Sequence, residues 1–158
     1  MPSFAGIDHL ALSVIDLDRS ERFYSEVIGL KPLIDFGTVR ILIDRPSSFM
    51  LALNKHDPAS KAPFSELMTG LDHVGFQASS RDELVEWERR FDALGVRYTP
   101  IRDEPFASHL NFRDPDNIAL EFSASNELFA GWLDELRARD IPPDEIRARV
   151  GEYLASLE

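Results

Sequence analysis

The stretch from Arg113 to Phe122, R-D-P-D-N-I-A-L-E-F, is a turn that launches a short strand. Pro115 sets φ at a turn's second position, Asp114 can cap the turn with its side chain, and Asn117 tolerates the left-handed conformation of a tight reversal. From there the pattern alternates. Ile118, Leu120 and Phe122 point one way, and Ala119, Glu121 and Ser123 point the other. Glu121 thus stands on a face of otherwise very small side chains, which suggests a cup rather than a packed core.

This strand closes a series that begins at Leu71. Val74, Phe76 and Ala78 alternate with His73, Gly75 and Gln77, and Ser80 with Glu83 forms a capping box. Leu84, Trp87, Phe91 and Leu94 then run at helical spacing until Gly95 ends the helix. Arg97–Ile101, Ser108–Arg113 and Ile118–Ser123 read as three strands. The same succession occurs earlier in the chain. Ile7–Val14 alternates, Asp18 and Glu21 resemble a capping box, and Phe23, Tyr24, Val27 and Ile28 form a stripe ended by Gly29. Lys31–Phe36, Thr38–Asp44 and Phe49–Asn54 follow as strands.

Ile7-Asp8-His9-Leu10 aligns with Leu71-Asp72-His73-Val74, and Ile28-Gly29-Leu30 with Leu94-Gly95-Val96. Such duplication marks supersecondary units that complete one another. The expected fold class is α+β: two tandem βαβββ modules, 7–54 and 71–123, forming a curved mixed sheet within one domain spanning 1–123. Segment 55–70, with two prolines and no sustained period, joins them.

At 158 residues and 44% hydrophobic content the chain can bury one substantial core. A formal charge of −11 disfavours nucleic acid and anionic membranes as partners. No apolar run reaches the roughly 20 residues of a spanning helix, and the first residues lack a secretory pattern, so a cytoplasmic protein is expected. With no cysteine, any metal must sit on His, Asp, Glu or water.

The paired modules, with I-D-H-L, F-Y and I-G-L in the first and L-D-H-V and R-D-P-D-N-I-A-L-E-F in the second, resemble the vicinal oxygen chelate superfamily. Glyoxalase I, extradiol dioxygenases, fosfomycin-resistance enzymes, methylmalonyl-CoA epimerases and bleomycin-resistance proteins belong to it. The resemblance implies a cup around one divalent metal held by His9, His73 and Glu121, with Fe(II) or Mn(II) favoured and Ni(II), Co(II) or Zn(II) compatible. Residue alternation independently puts these three on the polar faces of their strands, and two imidazoles with a carboxylate suit a first-row divalent ion. Glyoxalase I has a further glutamate where this chain has Ala52, and the dioxygenases have a tyrosine where it has Asn111.

Arg40, Asn54, Gln77 and Asn111 are candidate pocket residues, Arg40 on the premise that Val39, Ile41 and Ile43 face the core. His109 is the candidate acid or base, because an imidazole titrates near neutrality. Segment 124–158 forms a C-terminal pair of amphipathic helices, Leu128–Leu136 and Ile146–Leu157, broken by Ile141-Pro142-Pro143 and expected to pack on the domain. Two functions follow from the resemblance. One is a metal-dependent enzyme, of lyase, isomerase or dioxygenase type, that binds neighbouring oxygens of a small molecule and stabilises an enolate-like anion. The other is a metal-free sequestering protein of the bleomycin-resistance kind. A homodimer is expected by the same analogy.

Overall fold

Ile118, Leu120 and Phe122, the apolar side of the strand that follows the Asp114 turn, are buried, and their placement shows how each module is built. The computed structural model describes residues 6–57 and 62–157. The first module runs β1 (His9–Ser13), α1 (Leu17–Phe23) with a π-helical continuation over Tyr24–Ile28, β2 (Lys31–Asp35), β3 (Val39–Asp44) and β4 (Phe49–Asn54). The second repeats it as β5 (Val74–Gln77), α2 (Arg81–Leu94), β6 (Arg102–Asp103), β7 (Ala107–Arg113) and β8 (Ala119–Ser125). Helices α3 (Glu127–Ala138) and α4 (Pro143–Ala155) follow.

Each module makes its own four-stranded sheet, ordered β1-β4-β3-β2 and β5-β8-β7-β6. In each, the first pair is parallel and the others antiparallel. The duplication read from the sequence is therefore also a duplication of topology.

The local signals act mostly as anticipated. Asn117 has φ 69°, Asp114 Oδ1 accepts the Asp116 and Ile118 N–H groups at 2.8 and 2.7 Å, and Gly29 and Gly95 end their helices in the left-handed region. Ser80 Oγ accepts the Glu83 N–H. Two details differ. Asp16, not Asp18, caps α1, accepting from Arg19 N at 3.0 Å. The segment 97–101 makes only a single bridge, Tyr98 to Phe112, and the strand begins at Arg102. Pro100 has no N–H to give a ladder, and Ile101 N donates instead to Glu88 Oε1 at 3.0 Å.

Leu12, Leu42, Leu51 and Leu53 from the first sheet join Leu110, Phe112, Leu120 and Phe122 from the second in one continuous core with the inner sides of α1 and α2. Trp87 stacks on Phe122 at 4.2 Å, and Phe49 meets Phe76 across the seam at 5.9 Å. Polar ties reinforce the seam. Arg19 pairs with Asp116, whose other oxygen accepts Ile15 N at 2.9 Å, and Arg90 Nε donates to Val27 O at 2.9 Å. Strand alternation turns the opposite face of each sheet outward, so both open faces point away from this shared core.

The C-terminal helices dock on the β6–β7 connection of the second module. Phe106 packs its ring against Phe129, Trp132 and Tyr153 at 5.3, 6.0 and 5.2 Å. Asn126 caps α3 and also donates to Pro105 O, as does Tyr153 Oη at 2.7 Å. Among the described residues no helix is long and apolar enough to cross a membrane.

Candidate metal and substrate site

Strand register determines what surrounds Glu121. It lies opposite Gly75 on one side and Asn111 on the other. The next row along the same face holds Gln77, Ser123, His109 and Arg102. His73 precedes β5 with the parity of Gly75 and so belongs to this face. A Cβ at Gly75 would stand 3.8 Å from Glu121 Oε1, so the bare backbone leaves the space beside the carboxylate open.

The Glu121 side chain is 13% exposed, and His109 Nδ1 lies 3.0 Å from its Oε1. The two are out of line for a hydrogen bond, and the buried Nδ1 has no hydrogen-bonding partner. A buried imidazole nitrogen without a hydrogen-bonding partner, set beside a carboxylate, suits a site that takes a further electrophilic or hydrogen-bonding group.

Both histidines are held in one way. His9 Nδ1 sits 2.8 Å from Asp8 Oδ2, and His73 Nδ1 sits 2.6 Å from Asp72 Oδ1. A carboxylate only accepts, so each Nδ1 carries the proton, and in the neutral ring the lone pair falls on Nε2. This is the tautomer a metal-binding histidine needs, fixed by an outer partner. Asp8 and Asp72 escaped the sequence reading, although the repeated Asp-His doublet was their signal.

The structure places His73, Glu121, Gln77, Asn111 and His109 on the open face of the second sheet. His9 and Asn54 lie on the open face of the first, where His9 is opposite Met50, Ala11 opposite Ala52 and Ser13 opposite Asn54. Ala52 occupies the position that Glu121 holds in its own module. Among the described residues of one chain, no three His, Asp or Glu side chains converge closely enough to hold a metal. Within one chain, His9 therefore does not join His73 and Glu121 in a metal-binding cluster.

Arg40 requires a correction. Register puts Val39, Ile41 and Ile43 on the open face with Asn54, Ala52 and Met50, and Arg40 on the inner face beside Leu53. There it reaches over the end of α1 to Asp18 at 2.6 Å, Glu21 at 3.4 Å and Asp35 at 3.3 Å. It ties a helix to its sheet and does not line the cup face.

Away from these residues, a groove of about 650 Å³ runs along the seam between Phe23, Val27, Val96 and Arg97. Its arginines are engaged, Arg97 with Asn117 and Arg113 with Glu66. Asp114 borders it, and burial lifts that carboxyl to about 6 against the pull of its N–H and hydroxyl donors.

Known proteins share this architecture. A metallothiol transferase, FosB, from Lysinibacillus sphaericus is 31% identical over 73% of this chain and 79% of its own. A glyoxylase/bleomycin resistance protein/dioxygenase domain from Frankia superposes with a TM-score of 0.72 at 36% identity, over 79% of this chain and 95% of that one. A lactoylglutathione lyase from Agrobacterium tumefaciens superposes with a TM-score of 0.63 at 25% identity, over 78% and 96%. Residues 6–122 match the Glyoxalase/Bleomycin resistance protein/Dioxygenase superfamily, and the chain belongs to it.

Proposed function

We propose that this protein is a metal-dependent enzyme whose site is completed by a second copy of the chain. His73 and Glu121 of one copy would meet His9 of the other when the open face of a second module closes over the open face of a first. The observation that carries the reading is the repeated Asp-His pair, which leaves one free Nε2 in each module. The relatives named for metallothiol and lyase chemistry support it.

His9, His73 and Glu121 would hold a divalent ion, with Fe(II) or Mn(II) favoured and Ni(II), Co(II) or Zn(II) also fitting the donors, and it would supply Lewis-acid polarisation to the oxygens of a small substrate. The chain's own residues do the rest. Asp8 and Asp72 hold the histidines in the correct tautomer and orientation. Asn111 and Gln77 flank Glu121 and can orient the substrate's oxygens, and His109, 3.0 Å from the carboxylate, is the group placed to take or return a proton. The reaction class is lyase, isomerase or dioxygenase.

The separation of His9 from the other two within one chain also favours a second reading, metal-free sequestration of a small molecule. Elemental analysis after reconstitution and desalting, with sedimentation to give the oligomeric state, decides between them. Near-stoichiometric metal in a dimer, lost in both His9→Ala and Glu121→Ala, supports the enzyme. A protein that keeps no metal is a binder.

A further inference from the structure

The two open faces share one register but differ in chemistry position by position. Val39 and His109 occupy the same place in their modules, opposite Asn54 and Ser123. Ile41 corresponds to Asn111, opposite Ala52 and Glu121, and Ile43 to Arg113, opposite Met50 and Ala119. At all three the first module is branched and aliphatic while the second is polar. None of Val39, Ile41 and Ile43 is buried, whereas Leu42, on the alternate side of the same strand, is completely so. The three are half-buried and form an aliphatic row on the same face as His9, a strip that an apolar body laid against that face would cover.

Charge follows the same division. Arg113 makes two bonds to Glu66, at 2.6 and 3.0 Å, and Arg102 pairs with Glu104 at 2.8 Å. Arg40 lies on the inner face. Lys31 is on the edge strand, three strands from His9, or about 14 Å by strand spacing. A phosphonate or phosphate group calls for cations that converge on it and are not already engaged, and the face around Glu121 offers none among the described residues.

We infer that the closed cup takes a substrate with an apolar aliphatic or aromatic body, its neighbouring oxygens at one end and no strongly anionic group. The polar face around Glu121 receives the oxygens, and the Val39-Ile41-Ile43 row of the other copy receives the body. The oxygen end rests on the two-copy metal reading above; the apolar end rests on the register.

Acyl hydroxamates are bidentate oxygen chelators whose tails can be lengthened one methylene at a time. The Mn(II)-reconstituted full chain is titrated calorimetrically with the series from acetohydroxamate to octanohydroxamate, and with methylphosphonate. Each added methylene is expected to tighten binding about fourfold until the row is covered, with methylphosphonate weaker than acetohydroxamate. Ile41→Asn should keep the metal stoichiometry and flatten the chain-length dependence; Ile41→Val, the milder change, should weaken the longer members about threefold. A flat series with metal in place, or a phosphonate that binds more tightly than acetohydroxamate, overturns the inference. If the parent holds no metal, the metal reading alone fails. The metal-free protein is then titrated with n-alkanols, where a chain-length dependence supports the apolar wall and its absence overturns it.

Discussion

The Tyr24 hydroxyl donates to Asp114 Oδ2 at 3.0 Å, across 90 residues of sequence and across the seam between the modules. Asp114 Oδ1 meanwhile accepts the two N–H groups that shape its own turn. One buried carboxylate therefore both forms the turn that launches β8 and binds it to the helix of the other module. Burial, with the nearby carboxylate second, also pushes the Tyr24 phenol well above its usual range.

Because Asp114 titrates at about 6 in the folded chain and near 4 when unfolded, the folded state holds its proton more tightly. Its contribution to stability is complete below about pH 4 and is lost as pH rises through 6, a change of about 2–3 kcal/mol. Asp114→Asn keeps an oxygen for the two N–H groups and cannot ionise. Urea midpoints of parent and variant should diverge from pH 4 to 6.5, the parent losing ground; parallel curves would refute this.

Asp116 has a side chain only 5% exposed and depends on Arg19 for its countercharge. Arg19→Ala leaves that carboxylate with the Ile15 N–H as its donor among the described residues and should cost about 3 kcal/mol in urea unfolding. Adding Asp116→Asn to Arg19→Ala should recover at least about 1 kcal/mol, since the stranded charge is gone. A double variant no better than the single would mean that the guanidinium acts by packing.

Asp8 and Asp72 are about four-fifths exposed, so replacing them should leave the fold's stability nearly unchanged. Asp8→Ala and Asp72→Ala are each expected to weaken metal binding about 10- to 100-fold in a competitive chelator titration. Full affinity in both would remove the main support for the proposed ligand set.

Tyr153→Phe removes one hydroxyl that bonds Pro105 O and stands beside the Asn126 amide. A loss of about 1 kcal/mol is expected, with the amides of α4 exchanging faster than those of β8 in hydrogen exchange. Uniform acceleration over the whole chain would show instead that the extension unfolds only with the modules.

The modules were legible because β8 and β5 each put all their large apolar side chains on one parity, leaving no doubt about phase. β3 was not legible. Its sequence V-R-I-L-I-D has aliphatic residues on both sides, and the side packed inward is decided by where α1 lies, with its acids waiting for Arg40. The α1 cap failed for a smaller reason: Asp16 and Asp18 both fit the start of the helix, and they stand only two residues apart. That positions 9, 73 and 121 lie on the polar faces of their strands followed from alternation, and their choice as ligands followed from the family resemblance. That no three ligands converge within one chain did not, because it depends on how the two sheets are arranged around their core.

That arrangement has a genetic consequence. In the proposed dimer each site draws on two polypeptides, so chains carrying His9→Ala and chains carrying Glu121→Ala are each dead alone. Mixed and reassorted, half of the dimers pair one with the other, and each such pair holds one intact site beside one that lacks both groups. Two inactive preparations should together regain about a quarter of the parent's sites, as two-fold symmetry requires.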